Sequence, residues 1–143
     1  MKTLTLFVML LLLSVSTNAQ SLNRNARTIV KDYPFCNEEV LFDVNADMTV
    51  KTWDREGVRF MVEVELSSHR PELIKELLLM GRYEIQLLEN ETSCSFSMPE
   101  LRKQVEINGL ELEEWIHITV YVPKGTQRTL FSEGQVTASW HLP

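Results

Sequence analysis

The stretch from Trp115 to Gly125, W-I-H-I-T-V-Y-V-P-K-G, constrains the fold of this chain most strongly, because it alternates almost without a break. Its aliphatic face consists of Ile116, Ile118, Val120 and Val122. A period of two is typical of a strand with one buried face, and β-branched residues favour strands. Pro123 and the Lys-Gly pair after it end the run. The stretch therefore predicts a central strand with partners.

Several other segments alternate in the same way. Val58–Leu66 has the most regular alternation, with one apolar face and one face predicted to be exposed to solvent. Tyr83–Leu88 and Thr92–Met98 predict an antiparallel pair of strands. Val40–Val44 and Val50–Thr52 predict a hairpin that turns at Asn45-Ala46-Asp47. Asn108-Gly109 predicts a second hairpin, because this dipeptide favours the tight turn that joins two strands.

One helix is predicted, from Pro71 to Met80, with Gly81 as its C-terminal stop. Its apolar stripe consists of Leu73, Ile74, Leu77, Leu78 and Met80. A stripe of this spacing covers a sheet. We therefore expect an α+β, mainly β domain, in which antiparallel strands pack one face under this helix.

The N-terminus has the features of an export signal. Lys2 precedes an apolar run, Leu4–Val15, and small residues end at Ala19. We expect a signal peptide at 1–19, a polar leader at 20–38 and one β-rich domain at 39–143, located in the periplasm or outside the cell. The run is too short to span a membrane, and the net charge of −6 over 143 residues disfavours nucleic acid and anionic membrane as partners.

The chain contains two cysteines, Cys36 and Cys94. An exported chain with an even number of cysteines permits a disulfide between them. In the alternative, Cys94 is a small core residue on the same strand face as Phe96 and Met98, and Cys36 is a free thiol. The sequence leaves both open.

No residue pattern points to catalysis, a cofactor or a metal. Asp43, Asn45, Asp47 and Asp54 have the spacing of a calcium loop, but Met48 occupies the position that requires glycine. The histidines are scattered, and His117 is expected to be a partly exposed structural residue. A carboxylate pair of the kind hydrolases use could come from Glu63 with Glu65, or from the group Glu111, Glu113 and Glu114.

Three aromatic residues, Trp53, Trp115 and Tyr121, fall on the polar faces of predicted strands. Aromatics in such places are either covered by another layer, here the tail Leu130–Trp140, or exposed as anchors for a partner. Of these two interpretations, coverage by the tail requires no partner. These three residues are the predicted partner-binding residues.

The order of segments resembles a known family. The chain is similar to the N-terminal segment of exported, adhesin-like proteins of Bacteroidetes-type bacteria. The similarity covers F-D-V-N-A-D-M-T-V-K-T-W-D-R-E-G-V-R-F-M-V-E-V-E, then a Leu-rich helix, then V-Y-V-P-K-G. In that family stacked β-helix or β-roll rungs follow, and G-x-V-T begins a rung, a motif matched by Gly134-Gln135-Val136-Thr137. The resemblance implies that the tail begins such a rung, in a truncated relative, and it implies no catalytic residues.

Together these observations predict a non-catalytic exported module of the bacterial cell envelope, a scaffold or adhesin-like protein that binds a protein or glycan. Two alternatives remain at this stage. One is a small envelope hydrolase that uses a carboxylate pair, and the other is a carrier for a small apolar ligand in a cavity between helix and sheet.

Overall fold

The computed structural model describes residues 25–34, 39–68, 70–126, 128–131 and 138–141. The predicted signal peptide, Cys36 and Gly134–Thr137 lie outside the described residues. The strands are β1 (Asn25–Tyr33), β2 (Glu39–Asp43), β3 (Asp47–Trp53), β4 (Val58–Leu66), β5 (Gln86–Glu89), β6 (Ser93–Ser97), β7 (Glu106–Ile107), β8 (Leu110–Glu111), β9 (Glu114–Pro123), β10 (Arg128–Phe131) and β11 (Ala138–His141). One α-helix, α1 (Leu73–Leu79), and one 3-10 helix, Pro99–Arg102, complete the described elements. Among these residues, no helix is long and apolar enough to cross a membrane.

The strands form two larger sheets and one small hairpin. The major sheet has the order β1-β4-β9-β3-β11, the minor sheet has the order β10-β2-β6-β5, and β7 pairs with β8. The predicted α+β, mainly β class is confirmed. Pairing is mixed, because β4 is antiparallel to β1 and β9, whereas β3 is parallel to β9 and β11.

The core lies between the two sheets and is centred on aromatic rings. Phe60 of the major sheet contacts Phe42 and Phe96 of the minor sheet, with ring centroids 5.9 and 5.0 Å apart. Tyr33 on β1 closes the group with an edge-to-face contact to Phe96 at 5.3 Å. All three phenylalanines are fully buried, and each contributes about 1.5–3 kcal/mol by leaving water.

Strand β9 has the central position that its sequence predicts. It lies third of five in the major sheet, between β4 and β3, and Ile118, Val120 and Val122 are buried in the core. Ile116 is only partly buried, because it lies toward the end of the strand where the minor sheet gives less cover.

The predicted hairpin at Asn45-Ala46-Asp47 is wrong. Strand β2 belongs to the minor sheet and β3 to the major sheet, so the chain crosses between the sheets at this point. Val44, Ala46 and Met48 are buried, because the inward alternation of β2 continues through the crossing into β3. The turn-like residues Asn45 and Asp47 are the exposed members of this alternation.

The leader predicted at 20–38 contains a nine-residue strand. β1 pairs along its whole length with β4, from Asn25 opposite Leu66 to Tyr33 opposite Val58. Its sequence showed no period because Arg27 and Lys31 occupy positions on the inward side, beside the apolar Ile29 and Tyr33. An edge strand tolerates this, since its long side chains reach solvent around the edge.

Helix α1 is shorter than predicted and buries fewer residues. Leu73, Ile74 and Leu77 join the core, but Leu78 and Met80, which the stripe assigned to the buried side, are exposed. Gly81 ends the helix as expected, with φ of 78°, a conformation that glycine adopts without strain. The N–H groups of Gly81 and Arg82 donate to the carbonyls of Leu78 and Leu77, which is a Schellman cap.

The C-terminal strands repeat an earlier path of the chain. β10 pairs in parallel with β2 in the minor sheet, and β11 pairs in parallel with β3 in the major sheet. The passage β6 to β9 is stacked in parallel on the other side, since β6 pairs with β2 and β9 with β3. Strands β2, β6 and β10 of the minor sheet therefore run in parallel, as do β3, β9 and β11 of the major sheet.

Candidate functional site

The outer face of the major sheet, turned away from the minor sheet, carries the predicted site residues. Residues directly opposite one another in neighbouring strands share a face, so the register defines this surface. Its residues are Ala26, Thr28, Val30 and Asp32 of β1; Arg59, Met61, Glu63 and Glu65 of β4; Trp115, His117, Thr119 and Tyr121 of β9; and Asp47, Thr49, Lys51 and Trp53 of β3. β11 lies beside β3 in the plane of this sheet, so its backbone widens the sheet.

One end of this face carries a cluster that we call the aromatic–cation surface, formed by Lys51, Trp53, Arg55, Arg59 and Tyr121. The rings of Trp53 and Tyr121 lie 5.5 Å apart and are inclined by 36°. The guanidinium carbons of Arg59 and Arg55 lie 5.2 and 5.6 Å from the centre of the Trp53 ring. Lys51 Nζ lies 5.9 Å from the centre of the Tyr121 ring. Both aromatic side chains are partly exposed.

Hydrogen bonds fix both the Trp53 ring and the Arg59 side chain beside it. Its Nε1–H donates to the carbonyl oxygen of Gly57 at 3.1 Å, and Gly57 has φ of 97°, which lets the turn bring that carbonyl back toward the strand. Arg59 donates two hydrogen bonds to Asp32, at 2.6 and 2.8 Å, across the β1–β4 pair. These bonds lower the pKa of Asp32 below its ordinary value, so the pair is charged at neutral pH.

The cations of the aromatic–cation surface are not equivalent. Arg59 is neutralised by Asp32, whereas Lys51 and Arg55 make no ion pair within the described part of the chain. Lys124, at the adjoining turn, is paired with Asp54 at 2.7 Å. Lys51 and Arg55 are therefore the two positive charges here that remain available to a ligand.

The other end of the major sheet borders a cleft of about 1110 Å³, which we call the Trp115 cleft and which residues from both faces of that sheet line, such as Glu63 and Val64. Residues 101–105 and 111–114 form one wall, and β1 and β4 form the other. Six carboxylates line it: Asp47, Glu63, Glu65, Glu111, Glu113 and Glu114. The β7–β8 hairpin flanks it with the predicted Asn108-Gly109 turn, where both φ values are positive, at 53° and 77°. Trp115 is 48% exposed at its margin.

A buried polar network forms the floor of the Trp115 cleft. Arg82, directly after the glycine cap of α1, donates to Glu114 through Nη2 at 2.5 Å and through Nε at 3.4 Å. Its Nη1 donates to the backbone carbonyls of Glu100 and Lys103. The hydroxyl of Tyr83 donates to Glu114 Oε1 at 2.7 Å. Burial, followed by this contact with the carboxylate, raises the pKa of the Tyr83 phenol.

The two predicted groups of carboxylates have different surroundings in the structure. The carboxylate of Glu114 is 7% exposed and accepts hydrogen bonds from Arg82 and Tyr83, so it is occupied by structural contacts. Glu63 and Glu65 lie side by side along β4, opposite His117 and Trp115. His117 lies in the cleft within 3.5 Å of the Thr49 hydroxyl. Among the described residues, no group of three or more His, Cys, Asp or Glu side chains is arranged to hold a metal ion.

The three predicted partner-binding aromatics do not form one site. Trp53 and Tyr121 are in contact, but Trp115 lies six residues back along β9, roughly 20 Å away at the strand's rise per residue. Sequence reasoning missed Arg55 and Arg59, which complete the cluster. Their positions after the Trp-Asp turn were the available signal.

Of the two cysteines, only Cys94 lies in the described part of the chain. It is fully buried on β6, on the same face as Phe96, and it is disulfide-bonded. Its small side chain therefore fills the minor-sheet side of the core next to the aromatic cluster. Cys36 lies outside the described residues.

Comparison of the chain with family models, curated proteins and solved structures found no match. The resemblance to adhesin-like exported proteins therefore stays a prediction.

Proposed function

We propose that this protein is a non-catalytic exported module that binds a partner at the bacterial cell envelope, as a scaffold or adhesin-like protein. The observation that carries the proposal is the aromatic–cation surface, where two partly exposed aromatic rings lie in contact and a hydrogen bond holds the Trp53 ring. Aromatic and arginine side chains dominate the energy of many binding interfaces.

Preorganisation supports a binding role for this surface. The Trp53 ring is fixed by its hydrogen bond to the Gly57 carbonyl. Arg59 lies beside this ring and is itself held by a bidentate pair of hydrogen bonds to Asp32. A ligand that binds here meets side chains that have already lost most of their freedom, so less free energy is spent on ordering them.

The two alternative functions have less support. A hydrolase that used Glu114 would need a free carboxylate, but Arg82 and Tyr83 occupy this one. A carrier for an apolar ligand would need a cavity under the helix, but Leu73, Ile74 and Leu77 pack directly into the common core. The large cleft lies instead at one end of the major sheet, and its lining includes six carboxylates and four cationic side chains, which an apolar ligand does not favour.

The test is co-sedimentation of the purified mature protein with the envelope fraction of its source cells. We expect Trp53→Ala and Tyr121→Ala to weaken the association by about tenfold or more, as for interface hot spots. Trp115→Ala is the matched control, because it removes an aromatic side chain from the same sheet face at the other end. Unfolding midpoints of all variants show whether the fold is retained.

The proposal predicts which substitutions weaken the association with the envelope fraction and which do not. Arg55→Ala serves as a third variant, because this side chain is exposed on a turn and its loss leaves the core intact. Association that survives Trp53→Ala, Tyr121→Ala and Arg55→Ala, or that is lost only with Trp115→Ala, would show that the aromatic–cation surface is not the binding site.

A further inference from the structure

We infer that the ligand of the aromatic–cation surface is an acidic polysaccharide, that is, a glycan whose sugar rings carry carboxylate groups. This inference rests on the proposed function and names the chemical class of the partner. Three features carry it: two unpaired cations, the paired aromatic rings, and the absence of a free strand edge where the rings lie.

The first feature is charge. The chain as a whole has a net charge of −6, yet Lys51 and Arg55 lie side by side with the aromatic rings and have no carboxylate partner among the described residues. Three carboxylates lie nearby: Asp32 and Asp54, which are paired with Arg59 and Lys124, and Glu56. Against the four cations Lys51, Arg55, Arg59 and Lys124 they leave an excess of one positive charge at this end. An anionic ligand is therefore attracted to this end of the face, whereas the Trp115 cleft, lined by six carboxylates and four cationic side chains, keeps an excess of negative charge.

The second feature is the shape of the aromatic pair. The rings of Trp53 and Tyr121 lie 5.5 Å apart at 36°, and both side chains are partly exposed on the outer face. The faces of aromatic rings are electron-rich, and the C–H groups on the flat side of a sugar ring are weakly positive, so the two surfaces stack. A carboxylate on the same sugar then reaches Arg55, which can donate two parallel hydrogen bonds to it.

The third feature separates a glycan from an acidic peptide. Peptides commonly bind by adding a strand to a sheet edge or by filling an apolar groove. Both strands that bear the rings are interior, because β3 lies between β9 and β11 and β9 lies between β4 and β3. The depression beside Trp53 is about 260 Å³ and is lined by Asp32, Arg55, Glu56 and Arg59 among others, so it offers no apolar groove.

The experiment measures binding of the full-length mature protein to three polymers by isothermal titration calorimetry. Polygalacturonate carries both sugar rings and carboxylates, its fully methyl-esterified form keeps the sugars without the charge, and poly-glutamate carries carboxylates on a peptide. We expect binding to polygalacturonate that weakens as salt rises, and affinity at least about tenfold lower for the other two.

Matched variants locate the site. The double change Lys51→Gln and Arg55→Gln should weaken binding to polygalacturonate by about tenfold or more, and Tyr121→Ala should do the same through loss of stacking. The double change Arg70→Gln and Lys75→Gln is the control, since it also removes one arginine and one lysine charge, here from exposed positions before and on α1, and it should change affinity by less than about twofold.

Three results would overturn the inference. Equal affinity for the methyl ester would identify a neutral glycan, equal or higher affinity for poly-glutamate would identify an acidic protein, and no binding to polygalacturonate at millimolar sugar would exclude the class. Each leaves the proposed function standing if envelope association still depends on Trp53 and Tyr121. Loss of that dependence refutes the proposed function itself.

Discussion

Near each end of β9 an arginine from a neighbouring segment holds a carboxylate with two hydrogen bonds, but the two pairs have different environments. Arg82 and Glu114, at the start of the strand, are 9% and 7% exposed, whereas Arg59 and Asp32, beside Tyr121 near its end, are 31% and 58% exposed. The same chemical contact therefore has two consequences. The buried pair fixes the fold, because neither charge can be left alone without water. The exposed pair contributes little to stability but orients a side chain beside Trp53.

The largest expected effect comes from breaking the buried pair. Glu114→Ala should lower the free energy of unfolding by about 3–5 kcal/mol, because Arg82 would remain buried with an uncompensated charge. The measurement is urea denaturation followed by circular dichroism. The control, Glu76→Ala, removes the exposed partner of Arg70 and should cost at most about 1 kcal/mol. Equal effects of the two substitutions would refute the contrast between buried and exposed pairs.

Helix α1 delivers Arg82 to the buried end, so its packing can be tested with a matched pair of leucines. Leu77→Ala should cost about 2–5 kcal/mol, because the side chain is buried in the core. Leu79→Ala should change stability by less than about 0.5 kcal/mol, since that side chain is 80% exposed. Urea midpoints measure both, and a small effect of Leu77→Ala would mean that the helix does not anchor this end.

A smaller effect is expected for Tyr83→Phe, which removes one hydrogen bond to the Glu114 carboxylate. Such a bond to a charged group contributes about 1.5–3 kcal/mol at neutral pH. Because the pKa of Tyr83 is raised in the folded state, the unfolded chain loses this proton first, near pH 10. Stability should therefore fall as pH rises above about 10, and Tyr83→Phe should reduce that slope. Thermal melts between pH 8 and 11 give the comparison.

The smallest effect on stability is expected at the exposed pair. Asp32→Asn should leave the urea midpoint nearly unchanged but shift the fluorescence of Trp53, because Arg59 loses its anchor beside the indole ring. The pKa of Asp32 is lowered, so the wild-type pair persists at pH values above about 3.9 and is lost as pH falls through the lower folded-state value. Acid titration should thus reproduce the shift, and Trp53→Phe should abolish it. A large loss of stability in Asp32→Asn would contradict the assigned role.

Part of the fold could be read from local pattern. The alternations of β4, β6 and β9, the helix with its glycine stop, and the Asn-Gly hairpin were all predicted, because each follows from side-chain periodicity or from a backbone preference of single residues. The β2–β3 hairpin was mispredicted, because turn-like residues do not show whether the chain reverses within a sheet or crosses to another. β1 was missed, because an edge strand can carry polar residues on both faces.

For the candidate site, the sequence by itself determined that Trp53 and Tyr121 lie on the polar faces of their strands, since strand alternation fixes which side a residue occupies. Only the tertiary structure decided that β3 lies beside β9, which brings these two rings together and leaves Trp115 at the far end. It likewise decided that Glu114 is a structural carboxylate, because its partners Arg82 and Tyr83 are more than thirty residues away along the chain. Contacts of that range depend on how the sheets pair and pack, and the spacing of residues along the chain does not encode them locally.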